Sequence, residues 1–324
     1  WKEQQAEKLG VQPAWREPPV DILTFCSDFM GRSKLTDFHR DFFQSYAGSD
    51  PARWDELFKL FALCWGQGAG KNFSTHVITV YTLYRLMLLT NPHKFFGLDD
   101  PANWIDIINI SFVGETQARD VFFEGLKGAI RITKDPTTGQ NWFSQRGVDL
   151  REHGVGDLQE KVIELPRRVR VRCLPFTSSG FEGADIILAI VDEPSRAVQS
   201  PPANIMAHKL LGKIIGNTTT RFGMQGKVVM FSYPEAQDGD LIMETFAKAG
   251  TQFTASGRRE RTGDNVEPTW YGSYGATYEV NPRRKREDFD AERKTVPEGV
   301  ATRIDCNPPH SRTGFYRAYP EKVR

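Results

Sequence analysis

The chain has 324 residues, of which 39% are hydrophobic and 26% charged, so it can bury a large core in one or two domains. A formal net charge of +1 at pH 7 favours neither nucleic acid nor membrane as a partner of the whole molecule. No apolar run approaches the ~20 residues that cross a bilayer, and four scattered cysteines predict free thiols rather than disulfides or a zinc site.

The first half of the chain predicts a strand, a glycine-rich loop and a helix in direct succession. Residues 1–50 are broken by prolines and predict an N-terminal segment of short helices that leads into a core over residues 51–250. An apolar run over residues 57–64 predicts a strand buried on both faces. After the loop, apolar residues recur every three or four positions from Phe73 to Leu88, which predicts a helix that ends before Asn91-Pro92.

A second unit repeats this order, with a predicted strand over residues 104–113 and a predicted helix over residues 114–131. Further strands are predicted over residues 169–176, 184–193 and 226–234. Strands that alternate with helices indicate an α/β fold with a mainly parallel sheet and helices on both faces. Residues 251–324 are polar, glycine-rich and basic, so they predict a peripheral lid and connector rather than more core.

The loop itself, "CWGQGAGKNFST" over residues 64–75, is close to the phosphate-binding pattern GxxxxGK[ST]. Trp65 replaces its first glycine, and Asn72 replaces the hydroxyl residue that usually ligates Mg²⁺. Glycines let the backbone approach a polyphosphate, a helix N-terminus lies behind them, and a lysine reaches the terminal phosphates. The predicted nucleotide-binding residues are Gly66, Gln67, Gly68, Ala69, Gly70, Lys71, Asn72 and Phe73.

Two further features follow the loop in the order that ATP hydrolysis requires. Asp192 and Glu193 end an apolar strand, where one carboxylate can hold Mg²⁺ and the next can polarise the attacking water. The amide oxygen of Asn72 is a second candidate metal ligand. Ser232 ends the strand "VVMFS" and is the candidate sensor of the γ-phosphate. A solvated strand end and a turn serine are the structural alternatives for these residues.

With these motifs in order, the chain resembles the large terminase subunit of tailed bacteriophages, the motor that packages DNA. The resemblance covers most of the sequence and depends on "WGQGAGKN", "NISFVGETQARDVFF", "FEGADIILAIVDEPS", "FSYPEAQDGD" and "ATYEVNPRRKREDFDAE". It implies a P-loop ATPase of the additional-strand, catalytic-glutamate type. It also implies that ATP and Mg²⁺ bind, with Lys71 and Glu193 as catalytic residues, and that double-stranded DNA is the translocated substrate.

The same resemblance implies partners and a location. We expect a portal protein, a small terminase subunit and a ring of copies of this chain, acting in the host cytoplasm. Family members normally carry a nuclease domain after the ATPase, and no strand-borne aspartate cluster that predicts one follows the connector. The segment "LTDFHRDFF" corresponds to the family's adenine-contacting segment, although His39 lies where glutamine is common.

The arginines and the function leave alternatives open. Arg221 is the leading candidate for a catalytic arginine that reaches a neighbouring subunit's nucleotide, and a surface salt bridge is its alternative. Arg168, Arg170 and Arg172 share one strand face, for which a solvated face is preferred to a DNA or subunit contact. The competing functions are a helicase-type ATPase and a nucleotide-binding scaffold that Asn72 has deprived of turnover.

Overall fold

A mainly parallel sheet of nine strands organises the protein, as seen in a computed structural model that describes residues 14–54, 58–98, 102–112, 122–151, 156–158, 162–175 and 183–310. The strands are β1 Leu60–Trp65, β2 Ile105–Ser111, β3 Val162–Leu165, β4 Val169–Pro175, β5 Asp185–Asp192, β6 Lys227–Ser232, β7 Ala249–Thr254, β8 Gly257–Glu260 and β9 Glu267–Gly275. Their order across the sheet is β3-β4-β2-β5-β6-β1-β9-β7-β8. Only the two edge strands, β3 and β8, pair antiparallel to their neighbours.

The α-helices lie between these strands and after them. They are α1 Ile22–Thr24, α2 Asp37–Ala47, α3 Lys71–Leu88, α4 Pro92–Phe96, α5 Glu124–Ile132, α6 Pro201–Phe222, α7 Leu241–Lys248, α8 Thr277–Val280, α9 Asp290–Thr295 and α10 Pro297–Arg303. Local sequence sets several boundaries: Pro201 occupies the first turn of α6, and left-handed Gly97 follows α4. Among the described residues, no helix has the length and hydrophobicity of a membrane span.

The strand order confirms the predicted class of P-loop fold. One strand, β6, lies between the strand that leads into the glycine loop, β1, and the strand that ends at the two acids, β5. This inserted strand is the feature that the additional-strand type requires. Because all three strands are parallel, their carboxyl ends meet at one edge of the sheet.

Both faces of the sheet are covered, which explains why the central strands are apolar throughout. Alternate residues of β1 enter two cores: Phe61 and Leu63 pack with helices α2, α3 and α5, whereas Leu60 and Ala62 pack with α6 and α7. Every residue of β1 is buried. A strand of this kind is the buried parallel strand that its unbroken hydrophobic sequence predicted.

Two expectations need correction. Residues 251–275 are not peripheral, because β9 pairs with β1 over Leu60 to Trp65 and β7 pairs with β9. The preferred interpretation of a solvated arginine face on β4 is also wrong for Arg170 and Arg172, which both bind the buried carboxylate of Asp106 at 2.6 and 2.9 Å. The helix predicted over residues 114–131 is observed from Glu124, and residues 113–121 lie outside the described residues.

Candidate active site

The carboxyl edge of the sheet brings the predicted site residues together. Strand register places Ser232 opposite Cys64, the residue before Trp65, and Asp192 opposite both Phe231 and Ser111. A cavity of about 470 Å³ opens at this edge, lined by the glycine loop, the two acids and residues of β2. The sequence motifs are therefore neighbours in space as well as in order along the chain.

The glycine loop has the backbone geometry of a phosphate cradle. Gly68 and Gly70 have φ angles of 80° and 95°, which residues with a side chain rarely adopt. Helix α3 begins directly after Gly70, and the Ser74 amide donates to the Gly70 carbonyl at 3.0 Å. The helical amides before it, at residues 71–73, have no carbonyl one turn earlier in the helix to accept their hydrogen bonds, so they are oriented to bind an anion.

The first part of the loop is held by the C-terminal segment. The amide of Gly66 donates to the Gly275 carbonyl at 3.1 Å, and that of Gln67 donates to the Arg303 carbonyl at 2.6 Å. The Thr277 hydroxyl donates to the Gln67 carbonyl at 2.9 Å. Within the predicted nucleotide-binding stretch, the amides of Gly66 and Gln67 thus fix the loop to the C-terminal segment, and the Ala69 amide donates to the Gly66 carbonyl at 3.1 Å. The amides of Gly68 and Gly70 and those at the start of α3 remain to face phosphate.

Trp65 lies in the protein interior rather than in the phosphate cradle. It ends β1, its side chain is fully buried, and its indole Nε1 donates to the Ser273 hydroxyl at 2.9 Å. Its ring packs edge-on against Phe38 and Phe42 of α2. Trp65 departs from the common loop pattern because its side chain packs in the core, and this packing does not involve the glycines that follow it.

Three predicted catalytic residues form one connected group. The Lys71 ammonium lies 3.0 Å from Oε1 of Glu193, and the Ser232 hydroxyl lies 3.0 Å from Oε2 of the same carboxylate. Lys71 also donates to the Trp65 carbonyl at 3.3 Å. Glu193 therefore connects the lysine of the loop with the serine at the end of β6.

The backbone at Glu193 adopts a left-handed conformation with a φ of 54°, which costs a residue with a side chain of order 1 kcal/mol. Its amide donates to the Phe231 carbonyl at 2.8 Å, and the buried Ser195 hydroxyl donates to Asp240 at 2.8 Å. These contacts hold the turn after β5 in place. Strain of this kind at a pocket carboxylate is a common property of catalytic positions.

The residues at the end of β5 and β2 suit a magnesium ion. Burial, and secondarily the charge of Glu193, raises the pKa of the Asp192 carboxyl to about 7, while Lys71 opposes the rise. Oδ1 of Asn109 is buried without a hydrogen-bond partner among the described residues, and Asn109 and Asn72 line the same cavity. Carboxylate and amide oxygens are ligands that Mg²⁺ accepts. The donor set therefore fits the metal that hydrolysis would use.

A second cavity of about 420 Å³ lies on the other side of the loop, between residues 31–34, His39, Gly70 and Asn281. Nδ1 of His39 pairs with the Thr36 hydroxyl at 2.6 Å, whereas its buried Nε2 has no partner within the described structure. A Cβ at Gly70 would lie 3.2 Å from that nitrogen. His39 is thus placed beside the loop, where a base attached to loop-bound phosphates could reach it.

Arg221 does not join this group. It lies at the end of α6 and pairs with Asp185, the first residue of β5, at 3.1 Å. Asp185 is at the amino end of a strand whose carboxyl end carries the site, so Arg221 is on the opposite edge of the sheet from its own chain's cavity. A role at a neighbouring subunit's nucleotide remains a prediction.

Sequence reasoning missed six residues that line the main cavity, which are Thr75, Asn109, Ser111, Phe122, Arg196 and Tyr233. A signal existed for Asn109, because it is one of three polar residues, with Asp106 and Ser111, in the buried strand "IDIINIS". Tyr233 and Arg196 carry no comparable signal, since their relevance depends on how the turns after β6 and β5 fold together.

Comparison with protein families finds one that covers almost the whole chain. The family described as "Uncharacterized protein MJ0330, N-terminal P-loop domain" matches residues 2–306. MJ0330 of Methanocaldococcus jannaschii is 21% identical over 258 residues, which are 77% of this chain and 40% of that protein. The chain thus spans less than half the length of this curated relative.

Solved structures of similar fold include two viral enzymes. The large terminase of bacteriophage HK97 aligns over 89% of this chain and 55% of its own, with a TM-score of 0.58 and 15% identity. The large terminase ATPase domain of Thermus phage P74-26, in a mutant form, aligns over 89% of this chain and 97% of its own, with a TM-score of 0.53 and 14% identity. At this identity the likeness concerns the fold.

Proposed function

Because this chain belongs to the family of the MJ0330 N-terminal P-loop domain, we propose that it hydrolyses ATP and couples the hydrolysis to movement along double-stranded DNA. The observation that carries the ATPase proposal is the contact of Lys71 and Ser232 with the two oxygens of Glu193, at 3.0 Å each, beside the glycine loop. A lysine, a carboxylate base and a serine on the intervening strand are the parts that phosphoryl transfer to water needs.

The residues divide the work as follows. The loop amides and Lys71 bind the β- and γ-phosphates, and Asp192 with Asn109 and Asn72 would hold Mg²⁺, which neutralises charge on the phosphate oxygens when bound. Glu193 accepts a proton from water as the water oxygen bonds to the γ-phosphorus. The bond from that phosphorus to the β-phosphate oxygen breaks, and ADP leaves. Ser232 then transmits the change at Glu193 to β6.

The DNA-packaging part of the proposal is supported by the terminase-like motifs and by the two terminase structures whose fold the chain shares. In this proposal the partners are double-stranded DNA, a portal protein, a small terminase subunit and further copies of the chain in a ring. The place of action would be the host cytoplasm, at the procapsid.

A pair of variants tests the ATPase proposal. Lys71→Ala should abolish ATP binding, because the phosphates lose their cation, whereas Glu193→Ala should bind ATP and lose turnover by roughly 10² or more. Binding is measured with a fluorescent ATP analogue, and turnover by phosphate release. Equal loss of binding in both variants would contradict the assignment, and binding without any turnover in the unaltered chain would favour the scaffold alternative.

A further inference from the structure

A second cation lies at the mouth of the nucleotide cavity, and no motif assigns it a role. Arg196 lines the cavity of about 470 Å³ together with Lys71, Asp192 and Glu193. It also lines an adjoining cavity of about 350 Å³ that reaches residues 296–303 of the C-terminal segment. Its guanidinium is therefore at the boundary between the phosphate-binding space and the exposed surface.

The backbone of Arg196 is fixed to the proposed catalytic base. The short 3-10 helix Pro194–Gln199 begins directly after Glu193, and the Arg196 amide donates to the Glu193 carbonyl at 3.1 Å. On either side of Arg196, Ser195 and Ala197 are buried. The backbone of Arg196 is therefore held next to Glu193 by this turn, and its side chain is the part that can move.

That side chain is not committed to an acidic partner. Arg196 is exposed, and within the described part of the chain it takes part in no ion pair. The guanidinium carbon lies 5.7 Å from the ring centroid of Tyr233, whose ring also has the Lys71 ammonium 5.1 Å from its centroid. A cation–π contact at an exposed site is weak, so a phosphate can displace it readily.

The charge balance of the cavity explains why a second cation is needed. The glycine loop contains no arginine, since Gln67 is its only long polar residue before Lys71. Lys71 is itself paired with Glu193, and Asp192 adds a second carboxylate. Charge spreads over the γ-phosphate oxygens during transfer, and an arginine that stabilises it is worth roughly 10³ to 10⁵ in rate in well-characterised enzymes.

We propose that Arg196 is a catalytic residue that this chain supplies in cis: it rests on Tyr233 without nucleotide and binds the γ-phosphate when ATP is present. The inference depends on the proposed ATPase function. In this proposal a trans-acting arginine such as Arg221 is not required for the chemical step, because Arg196 supplies the cation from within the same chain.

The test compares Arg196→Gln and Arg196→Lys with the unaltered chain, in the absence of DNA. Arg196→Gln should lower kcat by roughly 10² or more, Arg196→Lys should retain part of the rate, and affinity should fall for ATP more than for ADP. Arg259→Ala, at an exposed arginine on edge strand β8, is the matched control and should hydrolyse ATP normally. Both Arg196 variants remove only an exposed side chain, so circular dichroism should show the native fold.

Mixing experiments separate cis from trans action. Arg196→Gln mixed with Glu193→Ala should recover no activity, because each chain lacks one residue of its own site. Full activity of Arg196→Gln would overturn the inference while leaving the ATPase proposal intact, and rescue on mixing would overturn the cis assignment. An unaltered chain that releases no phosphate would instead refute the proposed function on which the inference depends.

Discussion

At the scale of single residues, the pairing of Lys71 with Glu193 at 3.0 Å would couple binding to catalysis in the proposed reaction. There, substrate phosphate competes with Glu193 for Lys71, and Glu193 becomes available to accept a proton.

His39 gives a prediction on stability and pH. Burial lowers the pKa of its imidazole from 6.5 to about 4, so the folded protein binds this proton less readily than the unfolded chain does. Stability due to His39 is therefore present above pH 6.5 and is lost as the pH falls toward 4, with a slope of at most about 1.4 kcal/mol per pH unit.

Urea unfolding of the unaltered chain and of His39→Gln, measured between pH 7 and pH 4, checks this directly. The variant should lose less stability over that range, whereas His76, whose pKa burial also lowers to about 4, contributes equally to both proteins. Parallel curves for the two proteins would show that His39 does not titrate as the structure indicates.

The sequence predicted the residues whose motif is local. Lys71 follows a glycine loop, Asp192 and Glu193 end an apolar strand, and Ser232 ends another, so strand and loop patterns suffice to find them. Arg196 could not be found in this way. Its place in the site depends on the left-handed turn at Glu193 and on the approach of Tyr233 from a different strand.

At the scale of elements, the glycine loop depends on the C-terminal segment for its shape. Helix α8 follows β9, and Thr277 and Asn281 bind the carbonyls of Gln67 and Gly68 at 2.9 and 2.7 Å. Gly66 is the point of closest approach, because a Cβ there would lie 2.3 Å from the Thr277 hydroxyl and 2.7 Å from the Ile304 carbonyl.

Gly66→Ala should therefore destabilise the protein by about 1–3 kcal/mol, since backbone atoms have to move to admit the methyl group. Its matched control is Gly212→Ala within α6, where a Cβ meets nothing within 4 Å and the change should stabilise by about 0.5–1 kcal/mol. Denaturant unfolding of both variants measures the difference, and equal stability of the two would contradict the described packing of the loop.

The same close packing explains why the core boundary at residue 250 was predicted wrongly. Strand β9, "EPTWYGSYG", is rich in glycine and polar residues, a composition typical of surface segments. A Cβ at Gly272 would meet the Phe246 ring at 2.6 Å, and one at Gly275 would meet the Phe38 ring at 2.7 Å. Because these glycines have no side chain, aromatic rings of neighbouring helices can pack directly against the strand. Local sequence patterns do not reveal this packing.

At the scale of the whole molecule, the fold predicted from the alternation of strands and helices is confirmed, because periodicity and buried strands are local properties. The partners of the proposed function are not local properties of the sequence. The chain spans 40% of its relative MJ0330 and 55% of the HK97 large terminase, so DNA engagement and ring assembly remain proposals for this chain.

We propose that ATP hydrolysis at this site serves movement on double-stranded DNA. The most direct test of this proposal is the steady-state rate of phosphate release per chain without DNA, with single-stranded DNA and with double-stranded DNA, for the unaltered chain and for Glu193→Ala. We expect double-stranded DNA to raise the rate of the unaltered chain severalfold, single-stranded DNA to have little effect, and Glu193→Ala to stay near background throughout. A rate that double-stranded DNA leaves unchanged, or that Glu193→Ala retains in full, would contradict the account.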